Sequence, residues 1–264
     1  MWRISATERS CREATRRRCA AGRGHGVEGR MAPKNRLALI PARGGSRRVP
    51  RKNILDFGGR PMLAWTTEAA QSSCLFSAIV VSTDDEEIAA VATQCGVQVI
   101  RRGPDLSHDT ATLESVVQDA LWRLPGEWDE LCLLAANCPL RTAEDIRASL
   151  NYFTARGVSA VLSVSSFAWT PPFRAYYLRK TGLEPLFPEW WDRLTQDYPE
   201  SVCTTGAIYW APASQLREAP SLYLPGIQGF VMPWYRAIDI DTKEDLEIAQ
   251  CVRFALDGGF KFEN

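Results

Sequence analysis

Histidine is scarce in this chain, and none of its eight cysteines form a C-x-x-C pair. His25 and His108 are the two histidines, so the chain lacks both the residue types and the spacing that bind structural zinc. We therefore expect reduced thiols, mostly buried, in place of a zinc site or a disulfide framework. We interpret His108 as a solvated side chain rather than a general base.

Net charge and long apolar runs are also missing. Lys and Arg number 31, as do Asp and Glu, so no global basic field draws the chain onto nucleic acid or an anionic membrane. No apolar run approaches the roughly 18 residues that span a bilayer, and the N-terminus lacks the apolar stretch of a secretory signal. We expect a cytoplasmic protein with no nucleic-acid or membrane partner, in which any anion site is local.

Residues 1–30 show almost no apolar periodicity and are rich in Arg, Gly, Ala and Ser. We expect them to be a disordered leader, or to precede a true translation start at Met31. The whole chain has 264 residues, 45% of them apolar, which suits one α/β domain. We assign that domain to residues 31–264.

From residue 37 onward, apolar or β-branched runs alternate with amphipathic segments. Strands are predicted at residues 37–40, 78–83, 97–100, 130–136, 158–164, 207–210 and 237–241. Helices are predicted at residues 61–70, from 84 onward, and at 112–124, 142–156 and 243–255. This alternation predicts a three-layer α/β/α fold with a mainly parallel, mixed sheet that binds ligands at the carboxyl ends of its strands.

One segment, residues 167–198, breaks the alternation because it is dense in proline and aromatic residues. We predict that it is an excursion that covers the active site or pairs with a second subunit.

A glycine-rich basic loop follows the first predicted strand. Gly44 and Gly45 let backbone N–H groups approach an anion, and Arg43, Ser46 and Lys52 add side-chain donors. We interpret the loop as a polyphosphate cradle; the alternative is a basic surface loop. Its spacing fits neither G-x-x-x-x-G-K-[ST] nor G-x-G-x-x-G, which removes the main support for P-loop ATPase and dinucleotide-binding interpretations.

Two acids stand near the C-terminus in the sequence I-D-I-D. If this stretch is a strand, the carboxylates of Asp239 and Asp241 share one face and can hold one Mg²⁺. The alternative is that Asp241 caps the helix that comes after it. We favour the metal site, because a cap needs one acid and the strand presents two.

Both segments resemble signatures of the acylneuraminate cytidylyltransferase family, which activates acidic nonulosonic sugars as CMP-sugars. The loop carries the pattern R-x-x-S-x-x-x-x-x-K-N, and I-D-I-D-T-K-E-D-L resembles the metal-binding element of that family. The resemblance extends over about residues 37–255. It implies a nucleotide-diphospho-sugar transferase (Rossmann-like) fold, CTP as substrate, Mg²⁺ as cofactor and a homodimer whose excursion completes the neighbouring sugar site.

The resemblance also implies roles for individual residues. The nucleotide-binding candidates are Ala42, Arg43, Gly44, Ser46, Lys52, Asn53, Arg102 and Asp109. The sugar-binding candidates are Arg174, Gln196 and Gly206, and the catalytic candidates are Arg43, Lys52, Asp239 and Asp241. From its position alone, Asp109 equally suits a turn or a cap before the helix at 112.

Departures from the family pattern fall on the sugar side. The substituted positions, where that family has Gln, Thr, Ser, Arg and Asn, are Ala135, Asn137, Cys138, Thr195 and Thr205. The loss of the sugar-recognising Gln points to a nonulosonic acid other than N-acetylneuraminate.

We therefore predict an enzyme that transfers CMP from CTP to the anomeric hydroxyl of a nonulosonic acid and releases pyrophosphate. One alternative is the related 3-deoxy-manno-octulosonate cytidylyltransferase, whose Q-G-D-E-P block is absent here. Another is a non-catalytic nucleotide-binding homologue. A third, a dinucleotide-dependent oxidoreductase, is suggested by the βα alternation alone.

Overall fold

A computed structural model of the chain describes residues 34–108, 110–167 and 171–262. The predicted leader, residues 1–30, lies outside the described residues. The strands are β1 Arg36–Pro41, β2 Asp56–Phe57, β3 Arg60–Pro61, β4 Ala78–Thr83, β5 Gln98–Arg101, β6 Glu130–Leu134, β7 Val161–Ser166, β8 Tyr176–Arg179, β9 Gly182–Pro185, β10 Val202–Pro212 and β11 Gln228–Val231. The α-helices are α1 Met62–Ser73, α2 Glu86–Gln94, α3 Leu113–Arg123, α4 Ala143–Arg156, α5 Ala213–Leu216 and α6 Lys243–Asp257.

Seven strands form one mixed sheet in the order β11-β7-β10-β6-β1-β4-β5. β1 pairs in parallel with both β4 and β6, and β4 pairs in parallel with β5. β10 runs antiparallel to both of its neighbours, β6 and β7. The predicted mainly parallel, mixed sheet is therefore confirmed, and the carboxyl ends of β1, β4 and β6 lie at one edge.

Helices cover both faces of this sheet, as the side chains of β1 illustrate. Ala38 and Ile40 point into a core formed with α1, α2 and α4. Leu37 and Leu39 point to the opposite face, into a core formed with α3 and α5. All four side chains are fully buried, which explains the continuous apolar run of this strand. The three-layer α/β/α prediction is confirmed.

Local signals in the sequence also set where the helices begin. Asp85 accepts hydrogen bonds from the amides of residues 87 and 88 and so caps α2. Thr142 and Asp145 form a reciprocal capping box at the start of α4, which confirms that the predicted helix begins here. The predicted helix begins at Pro61. In the structure Pro61 is the N-cap of α1, and the first helical residue is Met62, one position later.

The predicted strand at residues 237–241 is wrong. Ile240 donates one backbone hydrogen bond, of 3.0 Å, to the carbonyl of Asn137, and the segment joins no sheet. Asn137 lies just beyond β6, and both edges of β6 are already paired with β1 and β10. An apolar run that reaches this place finds no free strand edge, so it crosses the end of the sheet as irregular chain.

The described part of the excursion, residues 171–198, contains one hairpin. β8 and β9 pair with each other and stay separate from the main sheet. Short 3-10 turns at Pro172–Arg174, Pro188–Trp190 and Thr195–Asp197 fill the rest.

The cysteines agree with the prediction in part. The free thiols of Cys95, Cys132 and Cys138 are buried. Cys74 is disulfide-bonded, so the expectation of a reduced thiol is wrong there. Its side chain is exposed at the end of α1, where another thiol can reach it. Among the described residues, no helix combines the length and apolarity needed to cross a membrane.

Candidate active site

Three segments that are far apart in the sequence meet at the carboxyl end of the sheet. The loop after β1, the turn after β6 and the segment before α6 line one open cleft of about 180 Å³. β1 and β6 are parallel neighbours, so the loop after β1 and the turn after β6 emerge on the same side of the sheet. Of the predicted site residues, this cleft contains Arg43, Ser46, Lys52, Asn53 and Asp241.

The loop is joined to the C-terminal acids by ion pairs. The Lys52 ammonium lies 2.7 Å from Asp241 Oδ1, and the Arg48 guanidinium contacts Asp241 Oδ2. Partial burial alone would raise the pKa of Asp241, but the hydrogen bonds and charges of Lys52 and Arg48 outweigh it and lower that pKa. The cations of the cradle and an acid of the predicted metal site therefore occupy the same place.

Gly44 approaches a carboxylate more closely than a side chain would allow. Its N–H donates to Asp84 Oδ1 at 2.9 Å. A Cβ added at Gly44 would lie 2.6 Å from Asp85 Oδ2, whereas one at Gly45 would meet nothing within 4 Å. Gly44 is thus required by the acids that come after β4, and Gly45 leaves its side of the loop open.

Asn53 and Ala42 are buried residues whose hydrogen bonds hold the backbone of the loop in place. Asn53 is buried, and its Nδ2 donates to the carbonyl of Arg43 at 2.9 Å. Ala42 is also buried, and its amide donates to the carbonyl of Ser82. These two bonds fix the backbone that carries Arg43, and they leave the Ala42 amide unavailable to a nucleotide.

Arg102 stands at the end of the neighbouring strands. Its guanidinium donates to the hydroxyl and the carbonyl of Ser82, at 2.9 and 2.7 Å. Burial lowers the pKa of Arg102, and the nearby charge of Arg43 lowers it further, while Asp84 raises it. The structure thus brings Arg102 to the Arg43 side of the loop. Asp109, the last nucleotide-binding candidate, lies outside the described residues.

Asp239 and Asp241 converge although they do not lie in a strand. The Nδ2 atom of Asn137 contacts Asp239 Oδ1 and lies 3.4 Å from Asp241 Oδ1. Desolvation by the surrounding protein raises the pKa of Asp239 to about 6, and the charge of Asp241 contributes to the rise. Two carboxylates held this close favour a cation between them.

Asp241 does not cap the next helix. Thr242 is the N-cap of α6, and its side chain accepts from the Asp245 amide. The Asp245 carboxylate in turn accepts from the backbone amides of Asp241 and Thr242, at 2.9 and 2.7 Å. The capping alternative for Asp241 is therefore wrong, and its carboxylate faces the cleft.

The two carboxylates of Asp239 and Asp241 fit Mg²⁺ better than they fit a metal ion whose ligands all come from the protein. Within the described part of the chain, no group of three or more His, Cys, Asp or Glu side chains could hold a metal ion. Mg²⁺ is typically bound by one or two carboxylates, with water and substrate phosphates completing its coordination. Asp239 and Asp241 could supply those two carboxylates, next to the cations Lys52 and Arg48 of the basic loop.

Gly206 lies against the same acids. It adopts a φ of +65°, and a Cβ added there would be 3.9 Å from Asp239 Oδ2. The register of β10 against β7 shifts between Thr204 and Tyr209, so Gly206 sits in an irregularity of the strand. Thr205 stabilises this irregularity through a 2.8 Å bond to Ser163.

Arg174 and Gln196 are absent from the cleft lining among the described residues. Arg174 donates to Thr195 Oγ1 at 2.5 Å, and its Nε lies 3.5 Å from the Tyr198 hydroxyl. Both partners belong to the excursion itself. Within one chain, Arg174 therefore contacts residues of the excursion, whereas Gly206 lies next to Asp239.

Sequence reasoning did not assign Arg48 or Asn137 to the site. Arg48 belongs to the basic loop. The number of Arg and Lys residues in that loop was the available signal that several of them would face one ligand. Asn137 was noted as a departure from a family motif, and its contacts with residues about a hundred positions away gave no local signal. Its neighbour Cys138 is buried, and burial raises the pKa of its thiol to about 12, which disfavours the reactive thiolate.

Known proteins resemble this chain over most of its length. The Cytidylyltransferase family model matches residues 37–166. The chain is 34% identical over 219 residues to the pseudaminic acid cytidylyltransferase of Campylobacter jejuni, covering 81% of this chain and 94% of the relative. It is 34% identical over 227 residues to the CMP-N,N'-diacetyllegionaminic acid synthase of Legionella pneumophila, with the same coverage of 81% and 94%. Identity with the N-acylneuraminate cytidylyltransferase of Oncorhynchus mykiss is 31%, over 81% of this chain and 49% of that relative.

Solved structures share the fold at lower identity. A CMP-2-keto-3-deoxy-manno-octonic acid synthetase complexed with CTP superposes with a TM-score of 0.64 and 18% identity, covering 84% of this chain and 99% of that chain. A 4-diphosphocytidyl-2C-methyl-D-erythritol synthase from Anaerococcus prevotii gives 0.58 and 15%, over 84% and 97%. These likenesses show the nucleotide-diphospho-sugar transferase fold. Because it spans 94% of two relatives at 34% identity, the chain belongs to the acylneuraminate cytidylyltransferase family.

Proposed function

We propose that this protein transfers CMP from CTP to the anomeric hydroxyl of a nonulosonic acid of the pseudaminic or legionaminic type. The observation that carries the proposal is the contact between Lys52 and Asp241, which joins the basic loop to one of the paired acids in one cleft. The relatives that the chain spans most fully bear those substrates in their names. The octulosonate enzyme is similar here in fold, at 18% identity.

The basic loop binds the triphosphate in this proposal. Arg43, Ser46 and Lys52 face the cleft and donate to the phosphate oxygens, with Arg48 beside them. As the sugar hydroxyl attacks the α-phosphorus, the bond to pyrophosphate breaks and negative charge grows on the departing group. Cations that already line the cleft stabilise that charge more effectively than water does, because they need little rearrangement.

Asp239 and Asp241 would hold Mg²⁺ beside the α-phosphate. When bound, the ion supplies charge neutralisation at the phosphate and lowers the pKa of the attacking hydroxyl. Before CTP arrives, Asp241 is paired with Lys52 and Arg48. The phosphates of CTP draw these two cations away and free the carboxylate, so CTP and the cation are expected to bind cooperatively.

The sugar acid would meet the cleft from the side of Gly206 and the excursion. Arg174 is suited to the carboxylate of the sugar, because a guanidinium binds a carboxylate through two parallel hydrogen bonds. It lies in the excursion, away from the cleft of its own chain. We propose a homodimer in which the excursion, with Arg174 and Gln196, completes the sugar site of the partner subunit.

The test is pyrophosphate release from CTP and Mg²⁺ with a panel of pseudaminic, legionaminic, neuraminic and octulosonic acids. The expected result is turnover with one nine-carbon acid, and loss of at least about 100-fold in an Asp239→Ala/Asp241→Ala variant. Preferential turnover of the octulosonic acid would overturn the substrate class. CTP binding without turnover of any acid would favour a non-catalytic homologue.

A further inference from the structure

Asn137 binds the segment of the paired acids through both its backbone and its side chain. Its carbonyl accepts the Ile240 amide at 3.0 Å, and its Nδ2 donates back to the Ile240 carbonyl at 3.0 Å. The same Nδ2 contacts Asp239 Oδ1 and lies 3.4 Å from Asp241 Oδ1. One side chain thus reaches three consecutive residues, and two of them are the paired acids.

This contact replaces the alignment that a sheet would otherwise supply. Residues 237–241 join no sheet, so no ladder of backbone bonds aligns their side chains. The turn that carries Asn137 is anchored to the core, because Cys138 and Leu140 are buried and Arg141 donates to the carbonyl of Ala207. The hydrogen bonds of Asn137 anchor residues 239–241 to this turn, as pairing with a neighbouring strand would do.

An amide suits this place better than other side chains. The carboxylates of Asp239 and Asp241 both lie within reach of the same amide nitrogen, and two like charges this close repel each other. A carboxamide NH₂ carries two hydrogens and no charge, so it can donate to more than one acceptor without neutralising the acids as Lys52 does. A Ser or Thr hydroxyl has one hydrogen and would leave one of these acceptors without its donor.

We propose that Asn137 is a positioning residue that holds Asp239 and Asp241 together in the geometry that receives the divalent cation. The inference rests on the proposed function, because it assumes that the paired acids bind the metal. Asn137 also lines the cleft, so it occupies the boundary between the sheet and the substrates. Residues that orient metal ligands without binding the metal typically contribute 10- to 100-fold to metal affinity.

The experiment measures Mn²⁺ affinity by electron paramagnetic resonance in the full-length protein, with CTP present and no sugar. Asn137→Ala should raise the dissociation constant of Mn²⁺ by about tenfold or more, and Asn137→Ser should fall between Asn137→Ala and the unaltered protein. Excess Mn²⁺ should restore turnover in Asn137→Ala, because the ligands themselves remain. The matched control is Asn151→Ala, at an exposed position on α4, which should leave the affinity unchanged.

Thermal unfolding of each variant separates positioning from general support. A lower melting temperature with unaltered Mn²⁺ affinity in Asn137→Ala would overturn the inference and leave Asn137 a structural residue. Asp239→Ala/Asp241→Ala distinguishes the two proposals. If that variant loses Mn²⁺ and Asn137→Ala does not, the inference alone fails. If the unaltered protein with CTP binds no Mn²⁺, both the inference and the proposed cation site fail.

Discussion

The loop of residues 41–53 and the excursion of residues 171–198 are held in place in opposite ways. The loop is tied to the rest of the chain: Lys52 to Asp241, Gly44 to Asp84, and Arg51 to Asp85. The excursion is tied mainly to itself. Its aromatic cluster centres on Phe173, whose ring lies 5.2 to 5.6 Å from those of Phe187, Trp190 and Tyr198.

The two regions also differ in the surface they expose. The apolar side chains of the excursion that stay open to solvent include Leu178, Leu183, Trp191 and Leu194, which are 60 to 86% exposed. The acids around the loop are instead paired with cations. The acids that contact the loop are thus paired within one chain, whereas the excursion has the exposed apolar surface typical of an interface.

Loss of the Lys52 cation should have the largest effect. Lys52→Ala should lower kcat/KM for CTP by about 100-fold, because a fixed positive charge on the departing pyrophosphate is lost. Steady-state pyrophosphate release measures it. Lys261→Ala, at an exposed lysine outside both the cleft lining and the excursion, is the matched control and should stay near the unaltered rate. A Lys52→Ala enzyme within threefold of that rate would remove Lys52 from the mechanism.

Removal of the Arg174 guanidinium should weaken binding of the sugar acid and leave binding of CTP unchanged. Arg174→Ala should raise KM for the sugar acid by about thirtyfold, because a charge-assisted bond to a carboxylate is lost, while KM for CTP stays unchanged. Separate titrations of the two substrates measure the difference. An equal rise for both substrates would contradict the assignment of Arg174 to the sugar side.

Mixing two variants that are each nearly inactive at a low concentration of the sugar acid tests whether Arg174 acts across a dimer. In a dimer of one Lys52→Ala chain and one Arg174→Ala chain, one site keeps both residues if Arg174 serves the partner subunit. Free exchange of subunits should then restore about a quarter of the unaltered activity, since half of the dimers are mixed and each has one good site. No recovery after verified exchange would show that each chain supplies its own Arg174.

A charge on the exposed apolar face should weaken the proposed dimer. Leu178 is 86% exposed in the single chain, and Leu178→Glu should raise the dimer dissociation constant about tenfold, because it removes apolar burial and adds a desolvation cost. Light scattering during size-exclusion chromatography measures the change. Trp122→Glu, at an 87% exposed position on α3, is the control for this interface. A monomeric unaltered protein would refute the dimer itself.

The smallest effect is expected at Gly206. Gly206→Ala places a Cβ in a backbone of φ +65°, which costs about 1 kcal/mol and should lower Tm by about 2 to 4 °C. The added methyl would stand 3.9 Å from Asp239, so the kinetic effect should be modest and should fall on the sugar. Calorimetry together with sugar titrations measures both. An unchanged Tm would mean that the backbone relaxes at this irregularity of β10.

Local patterns predicted most of the fold because apolar periodicity and helix caps depend on neighbouring residues. The strand at 78–83 and the caps at Thr142 and Asp85 depend on residues within a few positions of each other. The segment 237–241 was mispredicted because its apolar alternation resembles a strand, whereas strand formation needs a free partner edge. Whether β6 has such an edge depends on β1 and β10, which no local pattern reports.

The α/β alternation, the basic loop and the pair of acids could be predicted from the sequence, because periodicity, glycine and charge act over a few residues. Tertiary structure alone decided that Lys52 meets Asp241, 189 positions away, and that Asn137 holds the acids together. It also decided that Arg174 stays with the excursion. These contacts depend on how parallel strands bring distant loops to one edge of the sheet, and that arrangement exists only when the whole chain has packed.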